Sequence, residues 1–496
     1  MGLVLALDQG TTSSRGIVFD ENAQKRGVHQ IALPQIFPQA GWVEHDASVI
    51  WAQQLEAARE AVAQAQVSAD EIAAIGITNQ RETAVVWDRE TGEPLCNAIV
   101  WQDRRTAEMC DELAERGLGP MLRERTGLPI DPYFSATKIA WIVDNVDGAR
   151  ARAEAGELAF GTIDCWLAYK LSGGAAHVTD ITNASRTQLL DINTGEWDEE
   201  LLDLFGIPRS MLPEVVPSSG VVAQTDPALF GDSIPVAGIC GDQQSSLAGH
   251  GGFEPGGAKA TFGTGVFALM NTGTERVSSD RLAVTIAAQT GPEITYAVEG
   301  TIFMGGAVVQ WLVESLHVAD DPAAAQKLAE SVEDSGGVVM VPALTGMGAP
   351  VWDAYARGAI LGLTRGSTDA HVARAAMESI PLQLSDLTEV MVEDAGRPLA
   401  ALRVDGGVTV NALVMQTLAD LLGIPIHTAE VAESTALGVA YLAGLATDVW
   451  AGPGDLPALR GVGTTYEPDP TSAERTAELQ HLWRRAIPRA MGWLEG

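Results

Sequence analysis

Leu3-Val4-Leu5-Ala6-Leu7-Asp8-Gln9-Gly10-Thr11-Thr12-Ser13-Ser14-Arg15-Gly16-Ile17-Val18-Phe19 opens the chain with two apolar runs around a polar turn. Residues 3–7 are apolar without alternation, the pattern of a strand buried on both faces. The turn at Gly10-Thr11-Thr12-Ser13 and the apolar return at Gly16-Ile17-Val18-Phe19 predict a hairpin. Its first strand ends in the Asp8 carboxylate, and the turn then offers a glycine, four hydroxyls and the Arg15 guanidinium. Small residues let backbone N–H groups approach phosphate oxygens, hydroxyls add donors, and a strand-end carboxylate can hold Mg2+ through water. The competing reading is an ordinary polar turn. Neither G-x-x-x-x-G-K-[ST] nor G-x-G-x-x-G occurs in the chain, which disfavours a Walker or dinucleotide site.

Outward from this hairpin, residues 47–66 carry Ile50, Trp51, Leu55, Ala58 and Val62 at helical spacing. Residues 72–77 form another apolar strand, running into Thr78-Asn79-Gln80-Arg81-Glu82. Alternating strands and helices place the chain in the α/β class. Ala260-Thr261-Phe262-Gly263-Thr264-Gly265-Val266-Phe267 echoes the opening hairpin, with apolar flanks around a Gly/Thr turn. Just before it, residues 249–257 are rich in chain breakers and predict a boundary between domains 1–249 and 250–496. Two halves that each open on such a hairpin predict a duplicated architecture around a cleft. A Pro-rich piece, 453–470, is expected to wrap the surface before a final helix at 472–486.

The 496 residues contain 31 Lys plus Arg against 65 Asp plus Glu, a formal net charge of −34. Such a surface repels phosphate backbones and anionic lipid, which excludes nucleic acid and membranes as expected partners. Cys96, Cys110, Cys165 and Cys240 are scattered without a C-x-x-C pair, as expected of buried thiols in a reducing compartment. The eight His residues show no paired metal spacing. Met1 leads directly into the apolar run without the basic start and cleavage region of a secretory signal, so secretion is not expected, and no apolar run reaches the ~18–20 residues of a membrane span. The expectation is a soluble cytoplasmic protein.

Three further segments can carry chemistry. Arg81-Glu82, at a strand end beside Asn79 and Gln80, can bracket a polyol, Arg donating and Glu accepting; the bland alternative is a solvated surface pair. Residues 233–240 form an apolar strand that breaks at Gly241-Asp242-Gln243-Gln244. Asp242 is there either a general base or the cap of the next helix. Val404-Asp405-Gly406-Gly407, followed by helical residues 411–422, reads as strand, glycine turn and helix, a turn on which a flat base can lie.

Together these segments resemble the FGGY carbohydrate-kinase family. Two long family patterns are present without gaps: Tyr133-Phe134-Ser135-Ala136-Thr137-Lys138-Ile139-Ala140-Trp141-Ile142-Val143-Asp144-Asn145, and the stretch from Gly358 through His371-Val372 to Glu378. Residues 7–15, 41–46, 75–82, 101–105 and 179–186 are similar to the members that take glycerol. The resemblance implies two actin-like (ribonuclease H-type) domains with a catalytic cleft between them, and ATP-dependent phosphorylation of glycerol to sn-glycerol 3-phosphate. It implies that Arg81, Glu82, Tyr133, Asp242 and Gln243 contact glycerol, with Asp242 as general base. It implies further that Thr11, Thr12, Ser13, Arg15 and Thr264 meet the nucleotide phosphates, that Gly306, Gln310, Gly407 and Asn411 line the rest of the ATP site, and that Asp8 and Asp242 lie near Mg2+. Assembly as a homodimer or homotetramer is expected on the same ground.

Some members of the family carry a regulatory His in an H-F-Y-G loop, where this chain has Ala228-Leu229-Phe230-Gly231. Others bind fructose bisphosphate through an Arg where it has Ser233, so neither control is expected here. Two rivals stand beside glycerol phosphorylation: a kinase for another polyol or sugar, and an ATP-driven switch of the actin or chaperone type.

Overall fold

The computed structural model describes residues 2–430, 433–455 and 461–494. The opening run forms β1 (Leu3–Gln9) and β2 (Ser13–Phe19), an antiparallel hairpin as its patterning predicts. With β3 (Lys25–Ala32), β4 (Ile72–Asn79), β5 (Ser219–Gln224) and β6 (Pro235–Gly241) it makes a sheet of order β5-β6-β4-β1-β2-β3. β1, β2 and β3 are an antiparallel meander, whereas β1, β4 and β6 are parallel. The second sheet contains β7 (Ala258–Phe262), β8 (Val266–Gly273), β9 (Ala283–Ile286), β10 (Tyr296–Ile302), β11 (Leu402–Asp405), β12 (Ile426–Thr428) and β13 (Thr465–Tyr466). Its order is β9-β10-β8-β7-β11-β12-β13. Here too an antiparallel meander, β7-β8-β10, continues into parallel strands, β7, β11 and β12. The duplication read from two short hairpins therefore extends to whole sheets. In both, the parallel strands deliver their carboxyl ends to one side, the position at which open α/β sheets bind ligands.

The helix expected at 47–66 is α1 (Ala47–Ala65); Asp46 caps it by accepting from the Ser48 and Val49 N–H groups at 2.8 and 3.3 Å. α2 (Asp242–Gly249) follows β6, α3 (Gly306–Glu314) follows β10, and α4 (Ala412–Leu422) follows β11. The final helix, expected at 472–486, is α6 (Ala473–Ala490), while residues 456–460 of the Pro-rich piece lie outside the described residues. The four cysteines are free; Cys110, Cys165 and Cys240 are buried and Cys96 half-buried.

The longest apolar run becomes α5 (Ser434–Ala446). No helix among the described residues is long and apolar enough to cross a membrane. Although α5 follows the parallel strands of the second sheet, its Val439, Ala440 and Ala443 pack on Val4, Ala6, Ala74 and Ala237 of the first. Glycines allow this approach: a Cβ on Gly76 would stand 2.6 Å from the Val439 carbonyl oxygen. Where α5 crosses α2, a Cβ on Gly438 would stand 1.8 Å from the Ser245 carbonyl oxygen. Backbone cannot yield as a flexible side chain does, so Gly438→Ala is expected to cost at least the ~1–3 kcal/mol of an overpacked core. A thermal unfolding midpoint equal to that of the parent would show that the two helices do not meet this closely.

Candidate active site

Arg81 and Glu82 leave the end of β4 and are buried, at 3% and 1% exposure, which excludes the surface-pair reading. Glu82 has φ +61°, a left-handed conformation that costs a non-glycine residue ~1–3 kcal/mol. Ser135 Oγ donates to its carbonyl at 3.0 Å, and the Thr83 N–H donates to the Arg81 carbonyl at 2.7 Å, closing a tight turn. Arg81 Nε stands 3.2 Å from Asp242 Oδ1. Its Nη1 and Nη2 donate to Glu299 at 2.5 and 3.1 Å, and Nη1 also donates to Gln244 Oε1 at 3.1 Å. Arg186 donates from Nε to Glu82 Oε1 at 2.6 Å and from Nη2 to Glu299 Oε1 at 2.9 Å. Among the described residues, no donor reaches Glu82 Oε2.

Asp242 is the first residue of α2; the cap position belongs to Gly241, so the capping alternative does not hold. Its Oδ1 accepts from the Gln243 N–H at 2.7 Å, and 30% of its side chain is exposed. The Gln243 carboxamide accepts at Oε1 from Lys259 Nζ, which also donates to Thr261 Oγ1 at 2.9 Å. An ammonium group only donates, so this contact orients the amide and leaves its NH2 as a donor. Tyr133 lies with its ring 5.5 Å from the Arg186 guanidinium and edge-on to Trp101, also at 5.5 Å. Lys138 Nζ holds the Tyr133 segment by donating to the carbonyls of Pro132, Tyr133 and Phe134 at 2.7, 2.5 and 2.9 Å. Trp101 Nε1 donates to Thr11 Oγ1 at 2.9 Å, joining this group to the β1–β2 turn.

Burial pushes the Asp242 carboxyl above the usual range, with Arg81 and Lys259 opposing it. Burial likewise raises Glu82 against Arg186 and Arg81. For Glu299 burial also acts upward, but Arg186 and Arg81 outweigh it and hold the carboxyl down at about 2. Lys259 is pushed down to about 8 by burial.

Asp8, at the end of β1, is raised to about 6, mainly by burial; Arg15, 3.9 Å away, opposes the rise, while Asp242 and Glu433 add to it. Among the described residues no cluster of three or more His, Cys, Asp or Glu could enclose a metal. Two partly exposed carboxylates that disfavour each other's charge nevertheless fit Mg2+, which keeps waters and takes its other oxygens from phosphates. Thr11, Thr12 and Ser13 form the first turn, and Arg15 Nε is buried without a partner. In the second half the Gly305 N–H donates to the Thr264 carbonyl at 2.8 Å and the Gly306 N–H to the Gly263 carbonyl at 2.9 Å. A Cβ on Gly306 would lie 3.3 Å from Val408, so the exposed Gly407 turn sits beside them. Gln310 is exposed one turn along α3. Asn411 is buried and caps α4, accepting from the Val414 N–H at 3.2 Å. No hydrogen bond or ion pair among the described residues joins Thr11, Thr12, Ser13 or Arg15 to Thr264, Gly306, Gln310 or Gly407.

Ala228 lies in the one-turn helix Pro227–Phe230, and Ser233 Oγ donates to the Thr225 carbonyl at 3.1 Å. Glu299 and Lys259 join the site without having been singled out in the sequence; Trp101 and Arg186 lie in the stretches 101–105 and 179–186 that carry the resemblance, where no role was assigned to them. One signal was available for Glu299: it is a lone charge inside the otherwise uncharged strand YAVEGTI.

Residues 3–249 match the N-terminal domain, and residues 258–447 the C-terminal domain, of the FGGY family of carbohydrate kinases. The chain is 54% identical to a glycerol kinase of Koribacter versatilis over 493 residues, 99% of each protein. It is 54% identical to a glycerol kinase of Trichlorobacter lovleyi over 496 residues, the whole of both. The crystal structure of Plasmodium falciparum glycerol kinase with ADP superposes with a TM-score of 0.93 at 35% identity, covering 99% of this chain and 98% of that one.

Proposed function

The chain belongs to the FGGY family of carbohydrate kinases, and from that premise we propose that it transfers the γ-phosphoryl group of ATP to a terminal hydroxyl of glycerol, giving sn-glycerol 3-phosphate and ADP. The single observation that carries the choice of acceptor is the small group of Arg81, Glu82 and Asp242, linked by contacts of 3.2 and 3.9 Å beside the Tyr133 and Trp101 rings. Arg81 and the Gln243 NH2 donate to hydroxyl oxygens, and Glu82 Oε2 accepts from a hydroxyl. Asp242 accepts the proton of the attacking hydroxyl as its oxygen bonds to the γ-phosphorus and the bond to the ADP oxygen breaks. The raised affinity of its carboxyl for a proton suits that task.

Phosphoryl transfer needs in-line placement and compensation of spreading negative charge more than covalent help. Thr11, Thr12, Ser13, Arg15 and Thr264, with the backbone N–H groups of both hairpin turns, supply donors to the phosphates. Gly306, Gln310 and Gly407 line the rest of the nucleotide site, and Asn411 holds the start of α4 beside it. Mg2+, bound with the nucleotide near Asp8 and Asp242, supplies further charge neutralisation. In this reading residues 1–249 carry mainly the acceptor, with part of the phosphate site, and residues 250–496 mainly the nucleotide. Closing one on the other excludes water, which competes as a phosphoryl acceptor. Assembly as a homodimer or homotetramer belongs to the same proposal and is checked by light scattering.

A panel of acceptors with coupled ADP detection tests the reaction. Glycerol is expected to give turnover well above that with pentuloses, hexoses or no acceptor. Turnover with a sugar alone would reassign the acceptor, and ADP release independent of any acceptor would favour an ATP-driven switch.

A further inference from the structure

Four side chains, each with no more than 2% of its surface exposed, form a closed ring of alternating charge: Glu82, Arg186, Glu299 and Arg81. Its contacts run 2.6 Å from Glu82 to Arg186, 2.9 Å from Arg186 to Glu299, 2.5 Å from Glu299 to Arg81, and 3.9 Å back to Glu82. Three members belong to the first half of the chain. Glu299 lies on β10, in the second sheet. One of its oxygens serves both guanidinium groups and the other serves Arg81 alone.

We propose that Glu299 is a positioning residue that makes acceptor recognition conditional on closure of the two halves. By taking both Nη groups of Arg81, it leaves Arg81 Nε at Asp242. By taking Nη2 of Arg186, it leaves Arg186 Nε at Glu82 Oε1 and so frees Glu82 Oε2 for a hydroxyl. When β10 withdraws, the three Nη groups that donate to Glu299 lose that acceptor, while Arg81 keeps Asp242 and Glu82 and Arg186 keeps Glu82. Guanidinium N–H groups left without an acceptor inside the protein are disfavoured, so the side chains must rearrange and the acceptor group comes apart. ATP bound to an open enzyme then has no positioned hydroxyl to meet, and phosphoryl transfer waits for closure.

This inference rests on the glycerol kinase reading above. Glu299→Gln and Glu299→Asp test it in the full chain, with the parent assayed alongside. The amide presents one acceptor and one donor group to two guanidinium groups; the shorter carboxylate keeps the charge but cannot span both. Glu299→Gln is expected to lower kcat/KM for glycerol at least 100-fold and Glu299→Asp at least tenfold, with KM for ATP and calorimetric ADP affinity within threefold of the parent. Acceptor-independent ATP hydrolysis is expected to rise relative to transfer in both. If Glu299→Gln does not fold, Glu299→Asp alone decides. Glycerol parameters within threefold of the parent overturn the inference. So does an equal loss for glycerol and ADP, which marks a merely structural role. A parent that forms no ADP with glycerol overturns the kinase reading itself, and is told apart from the other outcomes by that control.

Discussion

Asp242→Asn is expected to lower kcat by about 10²–10⁴-fold, the contribution of a positioned general base. The replacement is close to isosteric. Its Oδ1 still accepts from the Gln243 N–H and still faces Arg81 Nε, contacts of 2.7 and 3.2 Å in the parent, so α2 and the site frame persist. What disappears is the ability to take a proton and the negative charge beside Asp8. ADP affinity, assigned by the proposal to the hairpin turns and the Gly306 and Gly407 segments, is expected to change far less. Steady-state kinetics with coupled ADP detection, paired with calorimetric ADP binding, separate the two effects. A folded variant with kcat within tenfold of the parent would remove Asp242 from the chemistry, and Asp8 would be the next carboxylate to test.

Glu82→Ala is expected to raise KM for glycerol by about 10–100-fold, because an acceptor hydroxyl left unpaired in a buried site costs ~1–3 kcal/mol and 1.4 kcal/mol is tenfold. KM for ATP is expected to stay within about threefold, since in the proposed reaction Glu82 meets the acceptor and not the nucleotide. The same change removes the Nε partner of Arg186, so it also lowers stability, by up to the ~3–5 kcal/mol of a broken buried ion pair. Glu82→Gln separates these consequences. It keeps the side-chain volume and one acceptor oxygen, and is expected to fall between parent and Ala in both glycerol KM and unfolding midpoint. An unchanged glycerol KM in either variant would take Glu82 out of the acceptor site.

Much of the local architecture was legible because it rests on short-range patterns. The β1–β2 and β7–β8 hairpins follow from apolar runs interrupted by Gly/Thr turns, and α1 from the spacing of Ile50, Trp51, Leu55, Ala58 and Val62. Asp8 near the end of β1, and Arg81 and Asp242 just beyond the ends of β4 and β6, mark the carboxyl edge of the sheet, where ligands meet α/β folds. Those residue types, in that order, also expose the family resemblance.

Other features depended on partners far along the chain. A charged pair such as Arg81-Glu82 reads equally well as surface or core; its burial is decided by Glu299, 218 residues from Arg81, and by Arg186, 113 residues from Glu299. Only the assembled halves bring enough opposite charge together to bury all four groups. The helix α5 is apolar on nearly every side, so its periodicity names no face and no sheet; the glycines at 76 and 438 decide its seat by admitting backbone where any Cβ would collide. Asn411 shows the converse, a motif residue whose carboxamide is already engaged as the α4 cap. By itself the sequence determined which elements form and which chemistry the strand ends offer, because propensity, periodicity and side-chain type are local. Tertiary structure alone decided which charges neutralise each other and which helix lies on which sheet, because desolvation and close packing are settled by neighbours that the order along the chain does not specify.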